Sequence, residues 1–191
     1  MSEPDNVDPR QRVADLCRQE AAGRRLRFVF FWGERGRGDG SVGAECLSQW
    51  WCARFEVAGR AYRSAEHYMM ERKARLFGDD DTAERILASG HPGAAKQLGR
   101  QVRGFDPDRW AAHREQIVVE GNLAKFTAHP KAADFLLGTG SRILVEASPL
   151  DRIWGVGLSV REDGVSRPSR WRGLNLLGFA LMEVRSRLAA R

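Results

Sequence analysis

The chain has 191 residues, of which 42% are hydrophobic and 29% are charged, and these are the proportions of an ordinary globular protein. Its length predicts one domain with a core large enough to fold without disulfides or a structural metal. A membrane protein is disfavoured because no run approaches the roughly 20 apolar residues of a spanning helix. A secretory signal is disfavoured too, because the polar residues 1–5 have no apolar segment behind them.

The charge balance indicates the class of partner, and the cysteines indicate the redox compartment. The formal net charge of +6 and a pI near 9.8 favour anionic partners, from phosphorylated small molecules to nucleic acid. Arginine provides most of the basic charge, and its planar guanidinium suits phosphate groups. Cys17, Cys46 and Cys52 match no zinc-site spacing, so we expect reduced thiols in a cytoplasmic protein.

The first predicted element is a helix that begins at Asp8-Pro9, with Asp as N-cap and Pro at the first helical position, and ends near Gly23. Residues 26–32 have the aromatic and β-branched composition of a strand. Residues 33–43 contain five glycines and predict a flexible loop. Residues 55–62 alternate in polarity and contain a glycine turn, which predicts a β-hairpin.

Helices are predicted through the middle of the chain. Ser64 is the expected N-cap of the first, and Asp106-Pro107 repeats the cap-plus-proline start for a long helix that ends near Ala128. A further short helix begins at Pro130. Two short helices between these cover residues 79–90 and 92–99.

The C-terminal part predicts two strands and a last helix. Residues 142–147 are typical of a buried strand, and residues 153–158 of a second strand interrupted by glycines. Residues 174–188 predict an amphipathic helix. Helices and strands are interspersed without regular βαβ alternation. We therefore expect an α+β fold in a single domain, predominantly helical around a small β-sheet.

Two charged residues on the helix that follows Ser64 have the chemistry of a catalytic pair. Glu66 and Lys73 are seven residues apart, which is close to two helical turns, so both groups lie on one face about 10 Å apart along the axis. A carboxylate that transfers protons and an amine that attacks carbon together can open a glycosidic carbon. We expect burial to raise the pKa of Glu66 and to lower that of Lys73. The same spacing is also common on exposed helix faces.

Other candidate residues lie in turns and beside aromatic side chains. Glu146 and Asp151 flank the predicted turn at Ser148-Pro149, where a charged residue is either functional or simply exposed. In Trp154-Gly155 the glycine allows a ligand to approach the backbone closely. Four further tryptophans border loops or helix starts and are candidates for stacking on a base. They are Trp32, Trp50, Trp51 and Trp110. Packing in the core is the alternative role for each of these aromatic residues.

The sequence contains no pattern typical of a metal site or of a serine nucleophile. Its four histidines are scattered and form no pair with ligand spacing. There is no nucleophile elbow for Ser-His-Asp chemistry. We therefore expect no metal site.

Four motifs occur in one order along the chain. They are Ser64-x-Glu66-His67-Tyr68 with Lys73-Ala74, then Gly121–Phe126, Leu144–Gly157 and Trp171–Gly178. Together they resemble the motifs of the NADAR family, the YbiA-like N-glycosidases, from about residue 28 to residue 188. The resemblance implies a NADAR domain over residues 26–191, preceded by an N-terminal extension of one helix over residues 1–25.

The resemblance also implies an enzyme that hydrolyses N-glycosidic bonds of ribosides without a cofactor. Two substrate classes are associated with such proteins. One is the phosphorylated ribosylaminopyrimidine intermediates of riboflavin synthesis, and the other is ADP-ribose attached to guanine, either free or within nucleic acid.

By the same resemblance, Glu66 is the acid/base carboxylate and Lys73 is the amine that captures the ribose anomeric carbon as a Schiff base. Asp151 orients sugar hydroxyls or a proton-transfer group. The expected substrate-binding residues are Trp32, His67, Tyr68, Trp110, Asn122, Trp154, Gly155 and Asn175. The chain departs from the family pattern at residues 69–72, where relatives have glutamine-rich residues, and at 47–51, where many have an Asn-Phe-Tyr-Pro-like run. Both departures bear on base selectivity.

Two other classes of protein fit the same residues. A non-catalytic module would hold ADP-ribosylated or phosphorylated ligands. The presence of Glu66, Lys73 and Asp151 argues against such a module, because a protein that had lost catalysis would not need to keep these residues. A nucleic-acid-binding protein would use its arginines to contact phosphates, with binding that falls steeply as salt increases.

Overall fold

The computed structural model of the protein describes residues 8–34, 36 and 41–191. It divides into two compact units, one formed by residues up to 32 together with 141–179, and one formed by 33–140 and 180–191. The predicted α+β class is confirmed, because helices carry most of the regular structure and the strands are short. Residues 35 and 37–40 of the predicted glycine-rich loop lie outside the described residues.

The first unit begins with helix α1 (Pro9–Ala21), in which the Asp8 carboxylate accepts a hydrogen bond from the backbone N–H of Arg10 as predicted for an N-cap. Strands β1 (Phe28–Phe31) and β4 (Ile143–Glu146) pair in parallel. Buried aliphatic residues pack against the aromatic side chains of β1. They are Val145, Ala147, Val156, Leu158 and Val165.

The predicted strand over residues 153–158 is wrong, because this segment forms a series of bends. Its backbone groups form separate hydrogen bonds to several segments rather than a ladder with one neighbouring strand. The Val156 N–H donates to the Glu146 carbonyl oxygen (3.0 Å), and the Val156 carbonyl accepts from the Arg172 N–H (2.9 Å). Gly157 has φ +68°, a left-handed conformation that breaks an extended strand. The apolar side chains are buried as in a strand, but the glycines allow a coiled path.

The second unit contains a two-stranded antiparallel hairpin and most of the helices. The hairpin consists of β2 (Phe55–Val57) and β3 (Arg60–Tyr62), so the predicted turn at Gly59 is confirmed. The helices in this part of the chain are α2 (Ala65–Leu76), α3 (Asp80–Ala88), α4 (Pro92–Gly99), α5 (Pro107–Ala128) and α6 (Pro130–Gly138). The last helix of the chain is α7 (Leu176–Ala189). Among the described residues, no helix is both long enough and apolar enough to cross a bilayer.

Helix α2 is the centre of the second unit and packs against α3, α4 and α5. Ser64 caps it as predicted, with its hydroxyl accepting from the His67 N–H. Eight of its 12 residues are buried, although the sequence carries charges along its length. Because a buried charge is costly unless it is paired, the charged side chains of α2 need partners inside the unit.

Glu71 illustrates this requirement. Its side chain is 1% exposed and accepts hydrogen bonds from Arg60 (2.9 Å) on β3 and from Arg75 (3.0 Å) one turn along α2. The Tyr62 hydroxyl also donates to it (3.3 Å), and this environment raises the pKa of Tyr62 to about 12, mainly through burial and then through the Glu71 charge. The carboxylate therefore ties the hairpin to the central helix.

We expect Glu71→Ala to lower the free energy of unfolding by about 2 kcal/mol, because hydrogen bonds to a buried charged group are lost. Glu84→Ala is the matched control, since Glu84 also pairs with Arg75 but is 64% exposed, and we expect a change below about 0.5 kcal/mol. Urea unfolding of both variants tests this difference. Equal losses would show that Glu71 carries no special share of the stability.

Candidate active site

Glu66 lies in the first turn of α2 and is 3% exposed. Its backbone N–H donates to the carbonyl oxygen of Gln49 (2.9 Å), which fixes the start of the helix against the preceding segment. The helix N-terminus favours the ionised form of a carboxylate, whereas burial disfavours it. Glu66 is thus a carboxylate that the fold holds inside the unit.

Lys73 lies two turns further along α2 and is half-buried. Its amine donates to the Gly99 carbonyl oxygen at the end of α4 (2.7 Å) and lies 4.2 Å from the centre of the Phe105 ring. The Trp110 ring is 5.7 Å from the same amine. Burial lowers the pKa of Lys73 from its ordinary value, as the sequence predicts. A lowered pKa increases the fraction of neutral, nucleophilic amine.

Glu66 and Lys73 lie on the same strip of α2, about 20° apart around the helix axis. Met70 lies between them and packs against Gly99, where a Cβ would come within 2.1 Å of the Met70 sulfur. Within the described part of the chain, the Lys73 amine forms no ion pair with a carboxylate. The charge of the Lys73 amine is therefore not compensated by a carboxylate, and burial lowers its pKa.

Two predicted substrate-binding residues on α2 instead stabilise the core. Both ring nitrogens of His67 have protein partners, the Ser64 hydroxyl (2.8 Å) and the Ser89 carbonyl oxygen (3.1 Å). Tyr68 is 2% exposed, donates from its hydroxyl to Glu120 (3.3 Å) and packs on Gly121. Their polar atoms are occupied, so these contacts indicate structural roles.

The predicted aromatic and amide residues differ in what they contact. Trp110 is half-buried beside Lys73 and packs on the Phe55–Tyr62–Tyr68 cluster. Trp32 is 63% exposed. Asn122 is fully buried on α5; its Nδ2 donates to the Val118 carbonyl oxygen (2.8 Å), while its Oδ1 has no partner among the described residues.

Asp151 lies in the first unit and organises the loop that follows it. Its Oδ1 accepts from the N–H groups of Ile153 (2.9 Å) and Trp154 (2.8 Å). Gly155 is close to the protein backbone and not only to open space, since a Cβ there would lie 2.9 Å from the Glu146 carbonyl oxygen. The close approach expected for a ligand is therefore made by the chain itself.

Asn175 also has a structural place in the first unit. It is fully buried and adopts a left-handed conformation with φ 53°. Its Nδ2 donates to the Leu144 carbonyl oxygen (2.9 Å), and its Oδ1 accepts from the Glu146 N–H (3.0 Å). The side chain bonds the open edge of β4, which accounts for an asparagine in the Gly-Leu-Asn motif without a ligand.

Lys125 is a buried cation that the sequence analysis did not single out. Its side chain is fully buried, and the amine donates to the carbonyl oxygens of Cys46 (3.0 Å) and Ser48 (3.3 Å). Burial lowers its pKa to about 7. A neutral amine has two N–H groups, and the two carbonyls satisfy both. A lysine on the buried face of α5, between Ala124 and Phe126, was the available sequence signal.

Two open cavities of the described structure lie elsewhere. A cavity of about 710 Å³ in the second unit is lined by residues of β2 and α5, including Glu120. A cavity of about 440 Å³ in the first unit is lined by Arg10, Arg152 and Arg172 beside Trp171. None of the predicted site residues lines either cavity.

Comparison with known proteins shows the family to which the chain belongs. The model of the NADAR domain matches residues 30–189. The chain belongs to the NADAR family. Since the match includes residues of both compact units, both are parts of one NADAR domain.

The relatives carry enzyme names. The chain is 40% identical over 164 residues to N-glycosidase R617 of Acanthamoeba polyphaga mimivirus, covering 83% of this chain and 95% of the relative. It is 31% identical over 134 residues to N-glycosidase YbiA of Escherichia coli (strain K12), covering 70% and 75%. The solution NMR structure of E. coli YbiA superposes with a TM-score of 0.69 at 26% identity, over 87% of each chain. The predicted enzyme class, an N-glycosidase, is confirmed at the level of the family.

The depressed pKa of Lys125 predicts a distinct pH dependence of stability. Its folded pKa of about 7 is below the unfolded value, so between pH 7 and about 10 the unfolded state binds more protons and stability rises with pH. We expect this rise, at most about 1.4 kcal/mol per pH unit, to be reduced in Lys125→Met. Urea unfolding of both proteins at pH 7, 8 and 9 measures it. Parallel slopes would contradict a depressed pKa at this position.

Proposed function

We propose that this NADAR protein hydrolyses the N-glycosidic bond of a phosphorylated or ADP-ribosylated riboside, with Glu66 as the acid/base and Lys73 as the nucleophile. The observation that carries the proposal is the half-buried Lys73 amine, which has a lowered pKa and no carboxylate partner in the described structure. It lies on the same strip of α2 as the buried carboxylate of Glu66. The fold thus holds an acid and an amine on one rigid element.

The chemistry follows from these two groups. Glu66 donates a proton to the leaving nitrogen as the bond from that nitrogen to the anomeric carbon breaks, and the ribose gains oxocarbenium character. The neutral Lys73 amine forms a bond to the anomeric carbon, and opening of the sugar ring leaves an imine. Glu66, now ionised, takes a proton from the water that adds to the imine carbon. Release of the sugar regenerates the Lys73 amine.

Two substrate classes fit this chemistry: ADP-ribose linked to guanine, free or in nucleic acid, and phosphorylated ribosylaminopyrimidines of riboflavin synthesis. Both are anionic, in keeping with the net charge of +6. The three cysteines are free thiols, which fits a reducing cytoplasm.

Asp151 and Trp154 belong to this proposal in a positioning role. Asp151 holds the N–H groups of residues 153 and 154 with one carboxylate oxygen. It therefore sets the path of the loop that carries the half-buried Trp154 ring. We assign Asp151 to orienting this loop.

Chromatography of the released heterocycle decides between the substrate classes. The protein is incubated with an ADP-ribosylated guanine oligonucleotide and, separately, with a ribosylaminopyrimidine phosphate. Release of a free base from one of them supports the proposal and ranks the two. Tight, salt-sensitive binding of the oligonucleotide with no base released from either substrate would favour a nucleic-acid-binding protein instead.

Lys73→Ala should abolish turnover, because no amine remains to capture the anomeric carbon. Borohydride added during turnover should reduce the imine and add the mass of the sugar to the peptide that contains Lys73. Lys131→Ala is the matched control, since Lys131 is exposed, and should retain normal turnover. Activity of Lys73→Ala close to that of the unmodified protein would remove this role.

Glu66→Gln should lower kcat by about 10²–10⁴-fold, the usual contribution of a general acid, and leave substrate binding in place. The exposed carboxylate Glu84 provides the control Glu84→Gln, with unchanged kcat. Kinetics and circular dichroism are measured on both variants. Loss of the helical signal in Glu66→Gln would make Glu66 a structural residue.

A further inference from the structure

Gln49 is a buried glutamine whose side chain has no hydrogen-bond partner within the described part of the chain. It is 7% exposed, and both the amide oxygen and the amide nitrogen are buried and unbonded. Buried polar side chains nearly always have a partner. The partners of this amide, an acceptor and a donor, are therefore not supplied by the described residues.

The backbone around this amide is fixed on both sides. The buried Lys125 amine bonds the carbonyls of residues 46 and 48. The Ser48 hydroxyl accepts from the Trp50 N–H (3.1 Å), and the Gln49 carbonyl accepts from the Glu66 N–H (2.9 Å). The Gln49 carbonyl is thus bonded whereas its side chain is not, on a segment that several hydrogen bonds hold in place. Such rigidity is what a recognition group requires.

The position of Gln49 links it to the reacting end of the substrate. Its backbone is one hydrogen bond from Glu66, the residue that protonates the leaving heterocycle in the proposed function. The next residue, Trp50, is half-buried, with the Lys96 amine 5.9 Å from its ring centre. An aromatic ring beside an amide can stack on a heterocycle while the amide bonds to its edge.

We propose that the carboxamide of Gln49 binds the lactam edge of the leaving heterocycle, its oxygen accepting from the ring N–H and its NH₂ donating to the adjacent ring carbonyl. This rests on the proposed function. A carboxamide has one acceptor and two donors in a plane, which matches an adjacent ring N–H and C=O. Guanine and the aminopyrimidinones both present that edge, so the two substrate classes share the chemistry.

The adenine of an ADP-ribosyl group also has an adjacent donor and acceptor that an amide can bond. In such a substrate, however, the pyrophosphate separates the adenine from the bond that breaks. Because the Gln49 backbone is hydrogen-bonded to that of Glu66, the leaving heterocycle is favoured as the partner of the Gln49 amide. Adenosine binding becomes one outcome of the test.

The first test measures binding without turnover. The affinities of guanosine, 2-aminopurine riboside and adenosine are compared by calorimetry for the full-length protein and for Gln49→Met. We expect guanosine to bind at least tenfold more tightly than 2-aminopurine riboside, which lacks the lactam edge, and the preference to disappear in Gln49→Met. A preference for adenosine, no preference at all, or a guanosine preference that survives in Gln49→Met would overturn the assignment and leave water as the partner of the amide.

Stability separates recognition from a structural role. Gln49→Met removes two unbonded buried polar atoms and keeps the length of the side chain, so we expect an equal or higher melting temperature. A structural glutamine would show a lower one. Gln101→Met makes the same change at an exposed residue and should alter neither the melting temperature nor guanosine binding. Gln49→Asn, which keeps a carboxamide, should retain part of the guanosine preference.

Turnover then distinguishes failure of the role assigned to Gln49 from failure of the proposed hydrolase function. With the substrate that the protein cleaves, Gln49→Met should raise KM at least tenfold and change kcat less than threefold, whereas Glu66→Gln lowers kcat. Normal KM in Gln49→Met with active unmodified protein would refute the role of Gln49 and leave the hydrolase intact. Guanosine preference that depends on Gln49, without cleavage of either substrate, would refute the hydrolase and leave the binding role.

Discussion

The burial of charged side chains around helix α2 is the constraint on which the second unit depends. A helix with eight of its 12 residues buried cannot leave carboxylates and amines without compensation. Glu71 meets this requirement through two arginines and a tyrosine. Lys73 meets it through a backbone carbonyl and aromatic rings, with a lowered pKa instead of an ion pair. The burial that Glu71 tolerates through its ion pairs lowers the pKa of the Lys73 amine, which has none.

A second buried cation gives the unit its rigidity near Glu66. Lys125 lies where an apolar core residue would be expected, and its amine bonds the carbonyl oxygens of Cys46 and Ser48 instead of an acid. Burial removes the amine from water and lowers its pKa to about 7. Its two hydrogen bonds, together with the bond from the Glu66 N–H to the Gln49 carbonyl, hold the segment that ends at Gln49 against the start of α2. The backbone of the two residues to which we assign catalysis and recognition, Glu66 and Gln49, is then fixed by hydrogen bonds.

Local signals in the sequence predict most of the helices of this fold. Asp8, Ser64 and Asp106 each accept from a backbone N–H at the start of a helix, because capping depends only on neighbouring residues. The segment 153–158 has the composition of a strand and is not one, because Gly157 is left-handed and the backbone bonds several separate segments instead of one neighbouring strand. Composition and alternation carry no information about such partners.

The placement of the candidate pair on one helix was predictable from the sequence, whereas the contacts of the other candidate residues were not. The seven-residue spacing of Glu66 and Lys73 follows from helical geometry alone, and burial of both agrees with expectation. His67 and Asn175 belong to the same motifs, but their polar atoms bond protein groups. Motif membership cannot distinguish a residue that touches substrate from one that supports the fold. Gln49 could not be found from sequence, because its significance is a missing partner.

The state of the Lys73 amine is the most direct test of the proposed chemistry. The chain contains only four lysines, so a pH titration of ¹⁵N-labelled lysine side chains by NMR can resolve each amine, with Lys73→Arg and Lys125→Met to assign them. We predict that the Lys73 amine titrates clearly below the ordinary lysine value of about 10.4. A titration at or above that value would mean a charged amine at neutral pH, and the Schiff-base mechanism on α2 would be contradicted.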